Sequence, residues 1–243
     1  MNTFFLDRLN SEPHALAFAG QSTPWPVALA DQSANPALDE ALHTHAAAAQ
    51  ALLYPVSAEL LATTGRPVDL FGFEPNPARL GAAAAASASV PGIALTQLGA
   101  LLDAAALGYN PAQAKPVAVL GHSQGVLAVH MVQAICEAGS IDAAAAKIDE
   151  ILAIATLIGV AGTRQARQLG LAARHGEATP MLSVKDITRA QVDALIERVD
   201  GARGPIAVAV TNSATHYVLS GYPEDLAAFG VEVAKEHKRQ AKL

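Results

Sequence analysis

The stretch Val117-Ala118-Val119-Leu120-Gly121-His122-Ser123-Gln124-Gly125-Val126-Leu127-Ala128-Val129-His130 decides how this 243-residue chain is read. Its first half, introduced by Lys115-Pro116, is a short apolar run that predicts a strand. Its second half has helical spacing, with Val126, Val129 and Val132 on one side. Between the two lies Gly121-x-Ser123-x-Gly125. That is the pattern of a nucleophile elbow, in which a strand turns sharply into a helix with a serine at the tip. Glycine on both flanks lets neighbouring backbone come close. Ser123 Oγ is expected to be exposed, and the first helical amides favour a negative charge developing beside it. The Gln124 amide is well placed as one oxyanion donor.

Composition narrows the class. Hydrophobic residues make up 51% of the chain and charged residues 16%, with alanine prominent. A formal charge of −6 argues against nucleic acid as the main partner. The one cysteine, Cys136, rules out an intrachain disulfide and a cysteine zinc site. Its place on the helix after the elbow suggests a small core residue. His43 and His45 are two apart on a predicted helix, a spacing that suits solvated surface histidines better than a metal pair. No metal site is expected. The N-terminus has no basic segment followed by an apolar one. The longest apolar run, residues 151–162, is too short for a bilayer. These features suggest a soluble cytoplasmic protein without membrane insertion.

Outward from the elbow, residues 15–21 predict a short buried strand ending in Gly20-Gln21, with Pro24 near a helix start. Residues 36–64 predict a helix from the recurrence of Leu38, Leu42, Ala46 and Ala49. A Pro/Phe/Gly loop spans 67–77, and residues 82–89 are alanine and serine, compatible with helix. Residues 91–107 predict an amphipathic helix leading to the Tyr109-Asn110-Pro111 turn, and 141–162 a long, largely buried one. Residues 164–175 read as the end of that helix and a connector, leaving His175 facing solvent. The pattern then changes. Strands are predicted at 179–184, 206–210 and 216–220, the last two around Asn212-Ser213-Ala214. Helices are predicted at 188–199, opened by a Thr188/Gln191 capping box, and at 223–240, with Glu224 and Asp225 in its first turn. The order β-α-β-β-α matches a ferredoxin-like unit lacking its last strand.

With Gly20-Gln21, the Gly-His-Ser-Gln-Gly elbow and this late unit together, the chain resembles the acyltransferase family of fatty acid and polyketide synthases. It is most similar to the N-terminal acetyltransferase domain of actinobacterial type I fatty acid synthases and the related fungal β chains. Residues 17–22, 89–98, 121–129, 157–163 and Ser220-Gly221 carry the likeness, which spans nearly the whole chain. The resemblance implies an α/β-hydrolase-like core, here residues 1–176, and a ferredoxin-like subdomain at 177–243 that is incomplete at its C-terminus. In the family the active site lies in the cleft between the two. The implied reaction is covalent and ping-pong. Ser123 takes a short acyl group from acyl-CoA and passes it to the phosphopantetheine thiol of an acyl carrier protein. Gln21 matches the family's second oxyanion donor, beside Gln124. No permanently bound cofactor is implied. The implied partners are the carrier protein and other fatty acid synthase domains or chains.

Two departures from the family pattern matter. Malonyl-selective members carry an arginine before the glycine of the long helix, where it pairs with the malonyl carboxylate. That position is Ile158 here, followed by Gly159. A free carboxylate would lack a partner there, so acetyl or another uncharged short acyl group is expected. Arg164 is the rival partner, six residues on and about 240° around the helix. The second departure is larger: the family's Phe-His-(Ser/Thr)-Pro motif, which supplies the base, does not occur in this chain. His122, next to the nucleophile, is expected to shape the substrate pocket. His216 and His237 are read as structural or exposed, and His14 has no motif behind it. The chain then reads as the front part of a longer polypeptide. If complete, it is either inactive or receives its histidine from another chain. A stand-alone serine esterase, with Asp186 as the acid, and an inert assembly segment are the competing readings.

Overall fold

The computed structural model describes residues 3–20, 24–53, 70–71, 86–168, 181–199 and 204–240. The expected helix beyond residue 53, most of the 67–77 loop, residues 82–85, His175 and the last three residues lie outside them. So does Gln21, the expected second oxyanion donor. The chain divides into two compact units, Met1–Gln165 and Ala166–Leu243.

The first unit begins with α1 (Thr3–Ser11), β1 (Ala15–Phe18), α2 (Trp25–Ser33) and α3 (Pro36–Leu52). It continues through α4 (Ala86–Ala106), α5 (Pro111–Ala114), β2 (Ala118–Gly121), α6 (Gly125–Ala138) and α7 (Ala145–Gln168). β1 and β2 pair in parallel, with Ala15 opposite Ala118 and Phe18 opposite Gly121. Leu16, Phe18 and Val119 face the helices, while Ala15, Ala17 and Leu120 stay exposed on the other face. β1 is therefore half-exposed along its length, not the buried strand expected from its composition.

α4 is the centre of this unit. Residues 87–99 are buried without a break, so α4 is a core helix and not an amphipathic one. Small side chains permit this, because neighbours approach on every side. Trp25 lies so close over Gly92 that a Cβ there would stand 2.5 Å from the indole. Pro91 sits inside the helix and does not open it; its missing N–H leaves the Ser87 carbonyl without its helical donor. α4 is long and apolar enough to cross a membrane by length and composition, yet 72% of that stretch is buried inside the protein.

Around α4 the fully buried side chains are Leu42 from α3, Met131 and Ile135 from α6, and Ile148 from α7. The buried side of α6 carries Leu127, Met131, Val132, Ala134 and Ile135, while Val126 is exposed. Cys136 is exposed, not a core residue. Residues 141–144 form a turn before α7, since Ser140 Oγ accepts the Ala143 amide at 3.2 Å and holds the chain there.

The histidines of α3 are not simply solvated. His45 Nδ1 donates to Asp149 Oδ1 of α7 at 2.6 Å, with both side chains largely buried. His43 stacks on Phe71 with ring centroids 3.6 Å apart. Among the described residues no group of three His, Cys, Asp or Glu side chains stands ready to hold a metal.

The second unit contains β3 (Met181–Lys185), α8 (Arg189–Val199), β4 (Ala207–Ser213), β5 (His216–Ser220) and α9 (Pro223–Gln240). The sheet order is β3-β5-β4, antiparallel throughout. Leu219, Val192, Leu195 and Phe229 form its buried centre. The capping box at α8 is present: the Thr188 amide donates to Gln191 Oε1 at 2.9 Å, and the Gln191 amide to Thr188 Oγ1 at 3.4 Å. β4 runs to Ser213, three residues past the expected end. Two irregularities, between Val208 and Val210 and between Thr211 and Ser213, let it keep pace with β5.

Candidate active site

The elbow forms where β2 ends and α6 begins. Ser123 has φ of +54°, the left-handed region that an L-residue enters at a cost of about 1–2 kcal/mol. The turn holds it there. The His122 amide donates to the Phe18 carbonyl at 3.0 Å, extending the β1–β2 pairing one step past the strand. The His122 carbonyl then accepts the Gly125 amide at 2.9 Å, and the Ser123 carbonyl accepts the Val126 amide at 3.2 Å. The chain must therefore reverse within one residue, and Ser123 is that residue.

Glycines make the reversal possible. A Cβ on Gly125 would overlap the Phe18 carbonyl oxygen, and one on Gly121 would stand 2.5 Å from the Gly125 carbonyl carbon. Gly20, at the exit of β1, packs under the serine. A Cβ on it would lie 2.5 Å from the His122 carbonyl oxygen and 2.7 Å from Ser123 Cβ. Ser123 is exposed, and so is His122. Gln124 is half-buried, and its Oε1 is buried without a donor among the described residues. The first amides of α6 are taken up within the turn, Gly125 by His122, Val126 by Ser123 and Leu127 by Gln124.

Ile158 is 50% exposed on α7, together with Ile154 and Leu157. These three, at i, i+3 and i+4, form an apolar stripe on a helix whose other side is buried. Helix α7 is held tightly against the start of α4. A Cβ on Gly159 would overlap the Ala86 carbonyl oxygen, and Thr163 Oγ1 accepts the Ser87 amide at 2.9 Å. The described contacts bring Gly20, His122, Ser123 and Gln124 together.

Two further histidines, His14 and His216, are engaged elsewhere. His14 Nε2 shares a 2.8 Å hydrogen bond with the Tyr109 hydroxyl. His216 Nε2 lies 2.9 Å from Ser183 Oγ on the sheet of the second unit. Asp186, the acid of the esterase reading, directly follows β3 with φ of +57° and is exposed. Burial raises the Tyr109 hydroxyl above the usual phenol range, with Cys136 adding to it.

One residue near the elbow was not singled out from its surroundings in the sequence. Gln97, only 8% exposed on α4, donates from Nε2 to the Ala19 carbonyl at 2.6 Å. Its signal was a lone amide within an otherwise apolar helix.

A strained serine at a strand-to-helix turn, on a mixed α/β fold, is the geometry of a nucleophile elbow. Residues 74–243 match the family model described as starter unit:ACP transacylase in aflatoxin biosynthesis, and the chain belongs to that family. A fatty acid synthase β subunit, hexB, of Dothistroma septosporum is 30% identical over 128 residues, covering 47% of this chain and 7% of that protein. Among solved structures, the malonyl CoA-acyl carrier protein transacylase (fabD) of Coxiella burnetii has a TM-score of 0.54 and 18% identity over 93% of this chain. A malonyl-transacylase in complex with its type II polyketide synthase acyl-carrier protein, PlMCAT:AntF, gives 0.53 and 16% over 93%. At such identity these two show the fold alone. The chain spans 58% and 60% of the lengths of those two transacylases.

Proposed function

We propose that this chain transfers a short uncharged acyl group, acetyl in the first instance, from coenzyme A to the phosphopantetheine thiol of an acyl carrier protein. The observation that carries this reading is the left-handed Ser123 at the tip of the elbow. Strain at a single exposed serine is retained where the position itself has a use.

In the first step Ser123 Oγ bonds the acyl carbon, the C–S bond breaks, and coenzyme A leaves as the thiol with the proton from Ser123. In the second step the phosphopantetheine sulfur bonds the same carbon, the acyl–Oγ bond breaks, and the thiol proton returns to Ser123. The oxyanion of each tetrahedral intermediate is received by the Gln124 amide and, in this reading, by Gln21. His122 and Ile158 border the acyl group. Ile158 offers no charge to a malonyl carboxylate, which supports an uncharged substrate. We read residues 1–176 as an α/β-hydrolase-like core and 177–243 as a ferredoxin-like unit. The strand order β3-β5-β4 supports the second assignment. Carrier protein and other synthase domains are the partners in this reading, in the cytoplasm; the transacylase description of the family supports the carrier protein.

The test is incubation with radioactive acetyl-CoA, with free imidazole added as an external base. Label retained on Ser123 and discharged to holo-carrier protein is the expected result. Discharge to water alone supports an esterase, and no label on Ser123 overturns the reading. An Ile158→Arg variant is expected to gain malonyl loading, and failure to gain any counts against the role of Ile158.

A further inference from the structure

We propose that Gln97 is a positioning residue for the elbow, holding the exit of β1 so that Gly20 and the Ser123 turn keep their places. The proposal rests on the reading of Ser123 as the acyl acceptor and adds to it a residue that never touches substrate.

Gln97 lies in the buried middle of α4, among Leu95, Leu98 and Ile93. Its Nε2 donates to the Ala19 carbonyl at 2.6 Å. Its Oε1 is buried and finds no donor among the described residues. A half-satisfied amide is a costly way to fill a core, because a methionine or leucine of similar size carries no such penalty. The bond to Ala19 is thus the reason for an amide at this position. Ala19 follows β1 directly. Because the peptide is planar, fixing the Ala19 carbonyl toward α4 turns the Gly20 N–H the opposite way. Gly20 in turn packs within van der Waals reach of His122, Ser123 and the Gln124 amide nitrogen. The chain of contacts runs from Gln97 through Ala19 and Gly20 to the nucleophile, all within the first unit.

Gln32 provides an internal control. It too is a largely buried amide with a stranded Oε1, but its Nε2 donates at 2.9 Å to the Thr96 carbonyl of α4 and not to the exit of β1. If buried amides here serve only to tie the core together, Gln32→Met and Gln97→Met should behave alike.

The experiment measures the rate at which a fluorophosphonate labels Ser123 in the full chain with free imidazole added, with Ser123→Ala as blank and urea melts run in parallel. Gln97→Met is expected to slow labelling roughly tenfold to a hundredfold, with the half-saturating probe concentration little changed. Gln32→Met is expected to lower stability and leave labelling near wild type. Equal labelling in Gln97→Met and wild type overturns the proposal. If Gln97→Met does not fold, Gln97→Glu takes its place. Its protonated carboxyl donates to Ala19 and its carboxylate does not, so its labelling rate relative to wild type should fall as pH rises. A ratio flat with pH overturns the proposal. If wild type itself is not labelled, the acyl-acceptor reading fails, and the backbone amide shifts of Gly20, Ser123 and Gln124 decide instead. Shifts displaced in Gln97→Met support positioning, and unmoved shifts overturn it.

Discussion

Gly20 and Ser123 belong to different strand ends, yet a single methyl group separates tolerance from collision. A Cβ on Gly20 would stand 2.7 Å from Ser123 Cβ and 2.5 Å from the His122 carbonyl oxygen. Both obstacles are backbone or stem atoms, so neither can swing away. Gly20→Ala is expected to destabilise the first unit by about 1–3 kcal/mol and to slow labelling of Ser123. Urea melts and fluorophosphonate kinetics check both, and a neutral substitution would mean that the turn relaxes freely.

Strain at the nucleophile makes a prediction of opposite sign. Ser123 pays for its φ of +54° in conformational energy, and glycine would not. Ser123→Gly is expected to raise stability by about 1 kcal/mol while abolishing all labelling. Ser123→Ala abolishes labelling without that gain. Equal melts for the two variants would show that the serine backbone is unstrained.

His45 and Asp149 join α3 to α7 through a largely buried 2.6 Å hydrogen bond. Removing Asp149 leaves the imidazole without its acceptor. Asp149→Ala is expected to cost about 1–3 kcal/mol. The double variant with His45→Ala should cost less than the sum of the two single changes. Additive losses would show that the pair is not coupled.

Tyr109 carries a pH dependence. Burial raises its pKa in the folded protein above the ordinary phenol value near 10. The folded state therefore holds the phenol proton where the unfolded chain has lost it. Folding stability is expected to be fully present below pH ~10 and to decline as pH rises through the unfolded value. Tyr109→Phe should be less stable at neutral pH, having lost the bond to His14, but should show a shallower alkaline decline. Melts across this range measure the slope.

In the second unit, the Thr188 and Gln191 side chains close the start of α8 reciprocally. Thr188→Ala is expected to cost about 1 kcal/mol and to speed amide exchange in the first turn of α8. An unchanged exchange pattern would mean that solvent caps that end equally well.

Local spacing alone was enough for the elbow, for α9 from Pro223 to Gln240, and for the capping box at Thr188, because each depends on neighbours within a few residues. Gly-x-Ser-x-Gly after an apolar run encodes a reversal wherever it is placed. Reading went wrong where burial depended on distant chain. α4 looked amphipathic, but helices on several sides enclose it. Cys136 looked like core and faces outward. His45 looked solvated, but its partner lies 104 residues away. The sequence by itself determined that a serine would stand at a strand-to-helix turn, since steric limits on one residue's backbone are local. Only the tertiary structure decided that Gly20 lies beneath that serine and that Gln97 holds the strand leading to it. Those relationships exist only once segments far apart in the chain compete for the same few ångströms.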